Sequence, residues 1–364
     1  MSVQKSILDL PAKVIGLIYG ELTLHAKLQL AQVHKVLRDA FILYIGGQFH
    51  RICVGDLPYE AWAVVLEMCG PGVCDLICND LKAGDPRVDL IRKYCDNLRY
   101  MEVSSSADSG CGPAKELLFQ RTGLLSLYLC VPDLGEVLQL LVDLPNIKEL
   151  SLYMFSAKGL TQIQRLVHLT SLHLTSGSSE ILICLFDFCT TLTKLRRLAL
   201  NYFKIQCDGK GDLPASIKAL ELLGCEVLTE LPYFPRLQSL SIIKTSWSKG
   251  NFCKFVSVHS NTLRLLKFCA KRQLQVDEFL KILSSARKLI RLNVVVRKDD
   301  IITADFVANF IKIIKDNGVA TSSRPLNMRI TKCQFNEIYQ LFDESPGSEI
   351  IRLGWLDFPD IIRD

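Results

Sequence analysis

Fourteen cysteines and six histidines are the side chains of this 364-residue chain best suited to hold a metal ion, pair as disulfides or act as nucleophile and base. Each of those chemistries needs a spacing that the chain does not offer. Cys74–Cys78 and Cys184–Cys189 are not the tight pairs of a structural zinc site, and no paired histidines follow them. Disulfides belong to exported domains, and Lys5, Asp9 and Lys13 interrupt the N-terminus where a signal-peptide core would lie. The expectation is therefore of buried thiols that pack as small apolar groups. His25, His34, His50, His168, His173 and His259 are scattered without an acidic or nucleophilic partner. There is no glycine-rich phosphate loop followed by Lys-Ser/Thr, no paired-histidine metalloprotease helix and no Gly-x-Ser-x-Gly elbow. The sequence nominates no catalytic residue, no metal ligand and no cofactor, and an enzyme is not expected.

The elements that place these residues follow a repeat. An apolar residue, two free positions, an apolar residue, one free position and a third apolar residue recur as Leu124-Leu127-Leu129, Ile147-Leu150-Leu152, Leu169-Leu172-Leu174 and Leu195-Leu198-Leu200. The series continues as Ile217-Leu220-Leu222, Leu237-Leu240-Ile242, Leu263-Leu266-Phe268 and Leu289-Leu292-Val294. Successive units start 23, 22, 26, 22, 20, 26 and 26 residues apart, inside the range of leucine-rich repeats. Weaker units extend it to Phe49-Ile52-Val54, Val73-Leu76-Cys78 and Leu98-Met101-Val103 on one side, and to Pro325-Met328-Ile330 and Ile350-Leu353-Trp355 on the other. That makes about thirteen units over residues 49–364. Cys225 and Cys333 fall where such repeats turn the chain out of its strand.

Alternation of period two makes each unit's short segment a strand with one buried side. Helical spacing follows in Ile181, Leu182, Leu185, Phe186 and Cys189, in Phe279, Leu280, Ile282 and Leu283, and in Phe306, Val307, Phe310, Ile311 and Ile314. No single unit can bury its apolar side, so neighbours must stack into an α/β solenoid, a horseshoe with parallel concave strands and convex helices. The strand positions between the leucines then point to the concave face. Candidate target-binding residues there are Tyr128, Glu149, Tyr153, His173, Arg197, Asn201, Lys267 and Arg291, with Tyr128, Tyr153 and His173 expected close together on neighbouring strands. Asn317-Gly318 reads as a helix stop, and Thr321–Arg324 as a mobile loop, which could gate this face or be simply a tolerated surface excursion.

Charge and hydropathy narrow the partners. Forty-three basic residues against 38 acidic give +5, with no dense Lys/Arg block, which does not suit nucleic acid. No apolar run reaches the eighteen or so residues of a membrane span. A soluble protein of the cytoplasm or nucleus is expected.

Residues 5–44 obey a different rule. Leu10-Pro11 opens a series in which Val14, Ile15, Leu17, Ile18 and Leu22, then Leu24, Leu28, Leu30, Ala31, Val33 and Leu37, keep helical spacing up to Phe41 and Tyr44. This small helical module resembles an F-box through Leu8, Leu10-Pro11, Ile15, Ile18-Tyr19, Leu22, Leu28, Leu30-Ala31, Val33, Lys35 and Arg38. Leu37 stands where many F-boxes have an aromatic, His34 where Cys is frequent, and Ala12-Lys13 where an acidic residue is usual. Set before cysteine-type repeats, the module gives the chain the layout of F-box/leucine-rich-repeat proteins.

That resemblance implies a substrate receptor of an SCF-type cullin–RING ubiquitin ligase. The F-box would dock on the Skp adaptor through Leu8, Leu10, Pro11, Ile15, Ile18, Leu22, Leu28, Leu30 and Val33, as contact or as the core beneath it. The repeats would bind a target protein for ubiquitination, raising the effective concentration of its lysine near the charged ubiquitin. The alternative is a repeat scaffold for protein interaction whose N-terminal helices only cap the array, with no ubiquitin role.

Overall fold

The structure, a computed structural model, describes residues 6–79, 81–105, 110–208, 213–247, 251–269, 276–295, 303–332 and 335–356. They form two compact units, Met1–Met154 and Phe155–Asp364. Both are built from an α/β leucine-rich repeat with parallel strands.

The first unit opens with three short helices, α1 (Ala12–Glu21), α2 (Leu24–Val33) and α3 (Lys35–Tyr44). Each start has its local cause. Pro11 caps α1, Thr23 Oγ1 accepts the Ala26 N–H, and His34 Nδ1 accepts the Val36 N–H at 3.2 Å, so His34 ends one helix and starts the next. Ile15, Tyr19, Leu28, Ala31, Leu37 and Phe41 fill the core between them. Tyr19 meets Phe41 edge-on with ring centres 5.5 Å apart, and its hydroxyl donates to the Leu37 carbonyl at 3.0 Å. Burial pushes that phenol up to about 12.

Strands and helices then alternate: β1 (Arg51–Cys53), α4 (Tyr59–Cys69), β2 (Asp75–Cys78), α5 (Pro86–Tyr94), β3 (Tyr100–Ser104), α6 (Gly112–Leu118), β4 (Ser126–Cys130), α7 (Leu134–Leu141) and β5 (Glu149–Met154). α2 and α3 pack on α4, which is how the helical module covers the first repeat. The strands pair in parallel in chain order, with Ile52, Leu76, Met101, Leu127 and Leu150 in one buried row. One hydrogen-bond motif recurs at each strand entry. The carbonyls of His50, Cys74, Arg99 and Leu125 each accept two successive N–H groups of the next repeat, at 2.8 to 3.1 Å. Both lone pairs of one oxygen are thereby used, and the register of the next strand is set.

The second unit contains β6 (Ser171–Ser176), β7 (Leu182–Cys184), α8 (Phe186–Cys189), β8 (Arg197–Asn201), β9 (Lys204–Gln206), β10 (Ala219–Leu223), β11 (Glu226–Val227), β12 (Ser239–Ile243) and β13 (Ser246–Trp247). It continues with α9 (Asn251–Val258), β14 (Leu265–Cys269), α10 (Val276–Ser285), β15 (Arg291–Val295), α11 (Ala304–Asp316), β16 (Leu326–Thr331), α12 (Phe335–Asp343) and β17 (Ile351–Leu356). Its main sheet runs β6-β8-β10-β12-β14-β15-β16-β17, all parallel, and the short strands form a second sheet, β13-β11-β9-β7.

That second sheet departs from the expected helices. The helical spacing at Ile181–Cys189 resolves into β7 and a single turn of α8. Three of these repeats turn the chain sharply after the main strand. Tyr202, Gly224 and Lys244 all adopt left-handed φ values, 63°, 64° and 53°, at the same repeat position. In two of them the next residue secures the turn on the preceding repeat: Cys225 Sγ lies 3.2 Å from the Leu200 carbonyl, and Thr245 Oγ1 donates to that of Leu222 at 3.1 Å. Cys225 thus serves the turn expected of it, whereas Cys333 lies outside the described residues.

Toward the C-terminus, α11 starts on Thr303 Oγ1 and stops at Asn317 with Gly318 at φ 63°. Thr321–Arg324 is no open loop. Thr321 and Arg324 exchange backbone hydrogen bonds at 3.1 and 3.0 Å across a tight turn. A self-bonded turn of four residues has no slack with which to gate a face. Trp355, read as an inward residue, is exposed and meets Phe335 edge-on at 5.4 Å.

Candidate interaction surfaces

The helical module carries more apolar side chains than its core holds. Among the expected docking residues, Ile15 and Leu28 are buried and serve the core. Leu8, Ile18, Leu22 and Leu30 are half-buried. Pro11, Leu10 (37% exposed) and Val33 (74% exposed) lie open. Sequence reasoning did not separate Val14 and Leu17 from the core, yet both are exposed, Leu17 by 66%, as is Val36. In α1, Ile15 and Tyr19 are spaced for one helix face and Val14 and Leu17 for another, so the helix is apolar on two sides. α1 also lies tight on α3: a Cβ at Gly16 would stand 2.6 Å from the Tyr44 ring. The useful signal was the surplus itself, since three ten-residue helices cannot inter so many apolar residues.

On the strand face of the first unit, Tyr128 sits in register between Glu102 and Ser151. Tyr100 donates from its hydroxyl to Glu102 Oε2 at 3.1 Å, and burial with that carboxylate pushes Tyr100 up to about 12. Burial also raises Tyr128, aided by Cys130, Glu102 and Tyr153. Tyr153 faces Cys130 rather than Tyr128, because β5 pairs from Glu149 on Ser126 and so carries Tyr153 one pleat further along. Glu149 is exposed at that strand's start. His173 belongs to the second unit.

There, His173, Thr175 and Asn201 form a hydrogen-bonded cluster on β6 and β8. Asn201 Nδ2 lies 2.7 Å from His173 Nε2 and donates to Thr175 Oγ1 at 3.2 Å. Arg197 is exposed and pairs through Nε with Glu221 at 2.8 Å. Lys267, expected at the surface, is only 3% exposed, in register with Ser241 and Asn293. Arg291 is exposed. The face is thus polar and partly filled by its own side chains.

His259 is a different kind of histidine. Buried at the C-terminal end of α9, it donates from Nδ1 to the Phe255 carbonyl at 2.7 Å and accepts the Phe234 N–H on Nε2 at 2.9 Å, which fixes a neutral tautomer. Tyr233 stacks over it at 5.1 Å, beside a cavity of about 170 Å³ rimmed by the Glu230–Lys254 ion pair. Burial depresses both His259 and His173, the latter against a smaller upward pull from Glu221. Folding therefore favours the neutral rings, whereas the unfolded chain takes up protons below about 6.5. The stabilisation from these rings is complete above that value and falls as pH drops through the lower folded values. Urea midpoints of the second unit are expected to fall from pH 7.5 to pH 5, and the fall should shrink in His259→Leu; a flat profile would refute it.

Burial holds six of the described thiols in the protonated form. Burial pushes Cys69 and Cys225 up to about 11 and Cys95 and Cys207 up to about 12, and raises Cys78 and Cys189 further. The buried cysteines Cys69, Cys78, Cys95, Cys189 and Cys225 form no disulfide, and among the described residues no three His, Cys, Asp or Glu side chains gather as a metal site. No helix among them is long and apolar enough to cross a membrane.

No protein-family model matches the chain, and no curated protein matches it. Solved structures do. An internalin, InlF of Listeria monocytogenes, is similar at a TM-score of 0.48 and 14% identity, covering 98% of this chain and 96% of that one. The leucine-rich repeat-containing protein LegL7 of Legionella pneumophila is similar at 0.43 and 13% identity, covering 85% and 91%.

Proposed function

We propose that this chain is a substrate receptor of an SCF-type ubiquitin ligase, non-catalytic itself, whose helical module docks on the Skp adaptor and whose repeats hold a target protein. The observation that carries this reading is the set of apolar side chains that the module leaves exposed. A core made by Ile15, Tyr19, Leu28, Leu37 and Phe41 is already complete, yet Leu10, Val14, Leu17 and Val33 remain exposed. Exposed apolar residues gathered on a short helical module favour a protein partner over water. The resemblance of residues 5–44 to an F-box names that partner as the adaptor.

The test is co-purification of the full chain with the Skp adaptor. Leu17→Asp and Val33→Asp alter side chains that face solvent, so they should abolish capture while leaving the thermal transition in place. Undiminished capture by the double variant would remove the docking assignment. Failure of the native chain to bind would leave the reading as a repeat scaffold for protein interaction.

A further inference from the structure

Outward positions on the last four strands of the second unit's main sheet carry four cations and no carboxylate. Lys267 stands on β14, Arg291 on β15, Arg329 on β16 and Arg352 on β17. The pairing staggers them. Lys267, Asn293, Arg329 and Gly354 share one row, while Leu265, Arg291, Asn327 and Arg352 share the row one pleat away. With strands about 4.8 Å apart, like-charged neighbours within a row stand about 10 Å from each other. Arg197, further along the same sheet, is neutralised by Glu221. Arg291, Arg329 and Arg352 are exposed and form no ion pair among the described residues. Gly354 adds to this: a Cβ there would lie 3.7 Å from Arg329 Cγ, so the position beside the Arg329 stem carries no side chain.

Like charges held on neighbouring strands repel, and a sheet does not gain stability from them. We infer that this part of the strand face binds an acidic polypeptide segment, its carboxylates or phosphates meeting Arg291, Arg329 and Arg352. The inference rests on the repeats being the target-holding surface. Guanidinium forks suit both anions because they offer two parallel donors to a planar or tetrahedral oxyanion. Four strands span about 14 Å, which four or five residues of extended chain would cross. Nucleic acid fits less well: the outward neighbours Leu265, Asn293 and Asn327 offer no ring for a base to stack on, and the whole chain carries only +5.

Fluorescence anisotropy on the full-length chain tests this with four labelled octamers: polyglutamate, a glycine–serine peptide with two phosphoserines, polylysine and oligouridine. One or both acidic peptides should bind, the stronger arm telling carboxylate from phosphate, with affinity falling as salt rises. Binding should weaken at least tenfold in Arg291→Ser/Arg329→Ser/Arg352→Ser. It should also weaken in Gly354→Glu, which places a carboxylate beside Arg329 without removing it. No binding of either acidic peptide, binding that survives both variants, or tighter binding of oligouridine would each overturn the inference. Adaptor capture, read in parallel, should be unchanged in these variants, so loss of adaptor docking and loss of this site remain separate results.

Discussion

Gly70→Ala is expected to destabilise the first unit by about 2–3 kcal/mol, a large effect for one methyl group. Gly70 caps α4 with an ordinary helical φ of −49°, so backbone strain is not the cause. The cause is contact. A Cβ at this position would stand 2.7 Å from both the carbonyl oxygen and the Cβ of Tyr94, the last residue of α5. Tyr94 cannot easily retreat, because the carbonyls around it, those of Ile91 and Cys95, are held by Arg121. Gly72→Ala is the control. No atom lies within 4 Å of its added Cβ, and lower unfolded-state entropy should leave it neutral or stabilising by up to about 1 kcal/mol. Hydrogen exchange of the β2 and β3 amides in the full chain reads the difference locally. Equal protection in the two variants would show that α4 and α5 separate freely.

Arg121→Met should cost about 3 kcal/mol in the same unit. Arg121 is only 8% exposed, and its guanidinium reaches three backbone carbonyls. Nε donates to Leu117 at the end of α6 at 3.2 Å, Nη2 to Ile91 at 3.0 Å, and Nη1 to Cys95 after α5. One side chain thereby supplies a donor to the Leu117 and Cys95 carbonyls and a second donor to that of Ile91, which also accepts the Cys95 N–H, at two helix ends where a positive charge is favoured by the helix dipoles. Asp96 lies 3.8 Å away but is largely exposed, so the ion pair adds little. Methionine keeps the aliphatic volume and removes the burial cost of the charge, but takes the guanidinium donors from the Leu117 and Cys95 carbonyls and leaves Ile91 only the Cys95 N–H. Lysine should recover less than half, since one ammonium cannot span three acceptors so far apart. A urea midpoint for Arg121→Met equal to that of the native chain would refute the argument.

Neither residue could be found by reading along the chain. Arg121 sits in a polar stretch, Phe-Gln-Arg-Thr-Gly, and two of its three carbonyl partners lie 26 and 30 positions back. Gly70 matters through one approach in space. The strands were legible because their cause is local: the spacing of Leu127, Leu150, Leu198 and Leu220 sets which side of each segment is buried, and the parallel registers follow. The second sheet was not, because its turns use left-handed Tyr202 and Lys244 beside Gly224, and two of those three residues give no such signal. Lys267 was placed on the correct side of its strand, but what buries it depends on neighbours that alternation does not describe. In the helical module, periodicity found the helices and could not say which of two apolar faces is covered.

The recurring strand entry has a consequence for how such a chain changes length through descent. Arg196 O accepts the N–H groups of Lys218 and Ala219, and Lys218 O accepts those of Gln238 and Ser239, in the same geometry. Loss of residues 218–237 would present Gln238 and Ser239 to Arg196, and Leu240 to Leu198, as the missing repeat had done. Thr245 would likewise come to the Leu200 carbonyl that Cys225 holds now. Gene-level duplication or deletion of whole repeats therefore splices equivalent joints, and the sheet can lengthen or shorten in steps while each surviving strand keeps its partners.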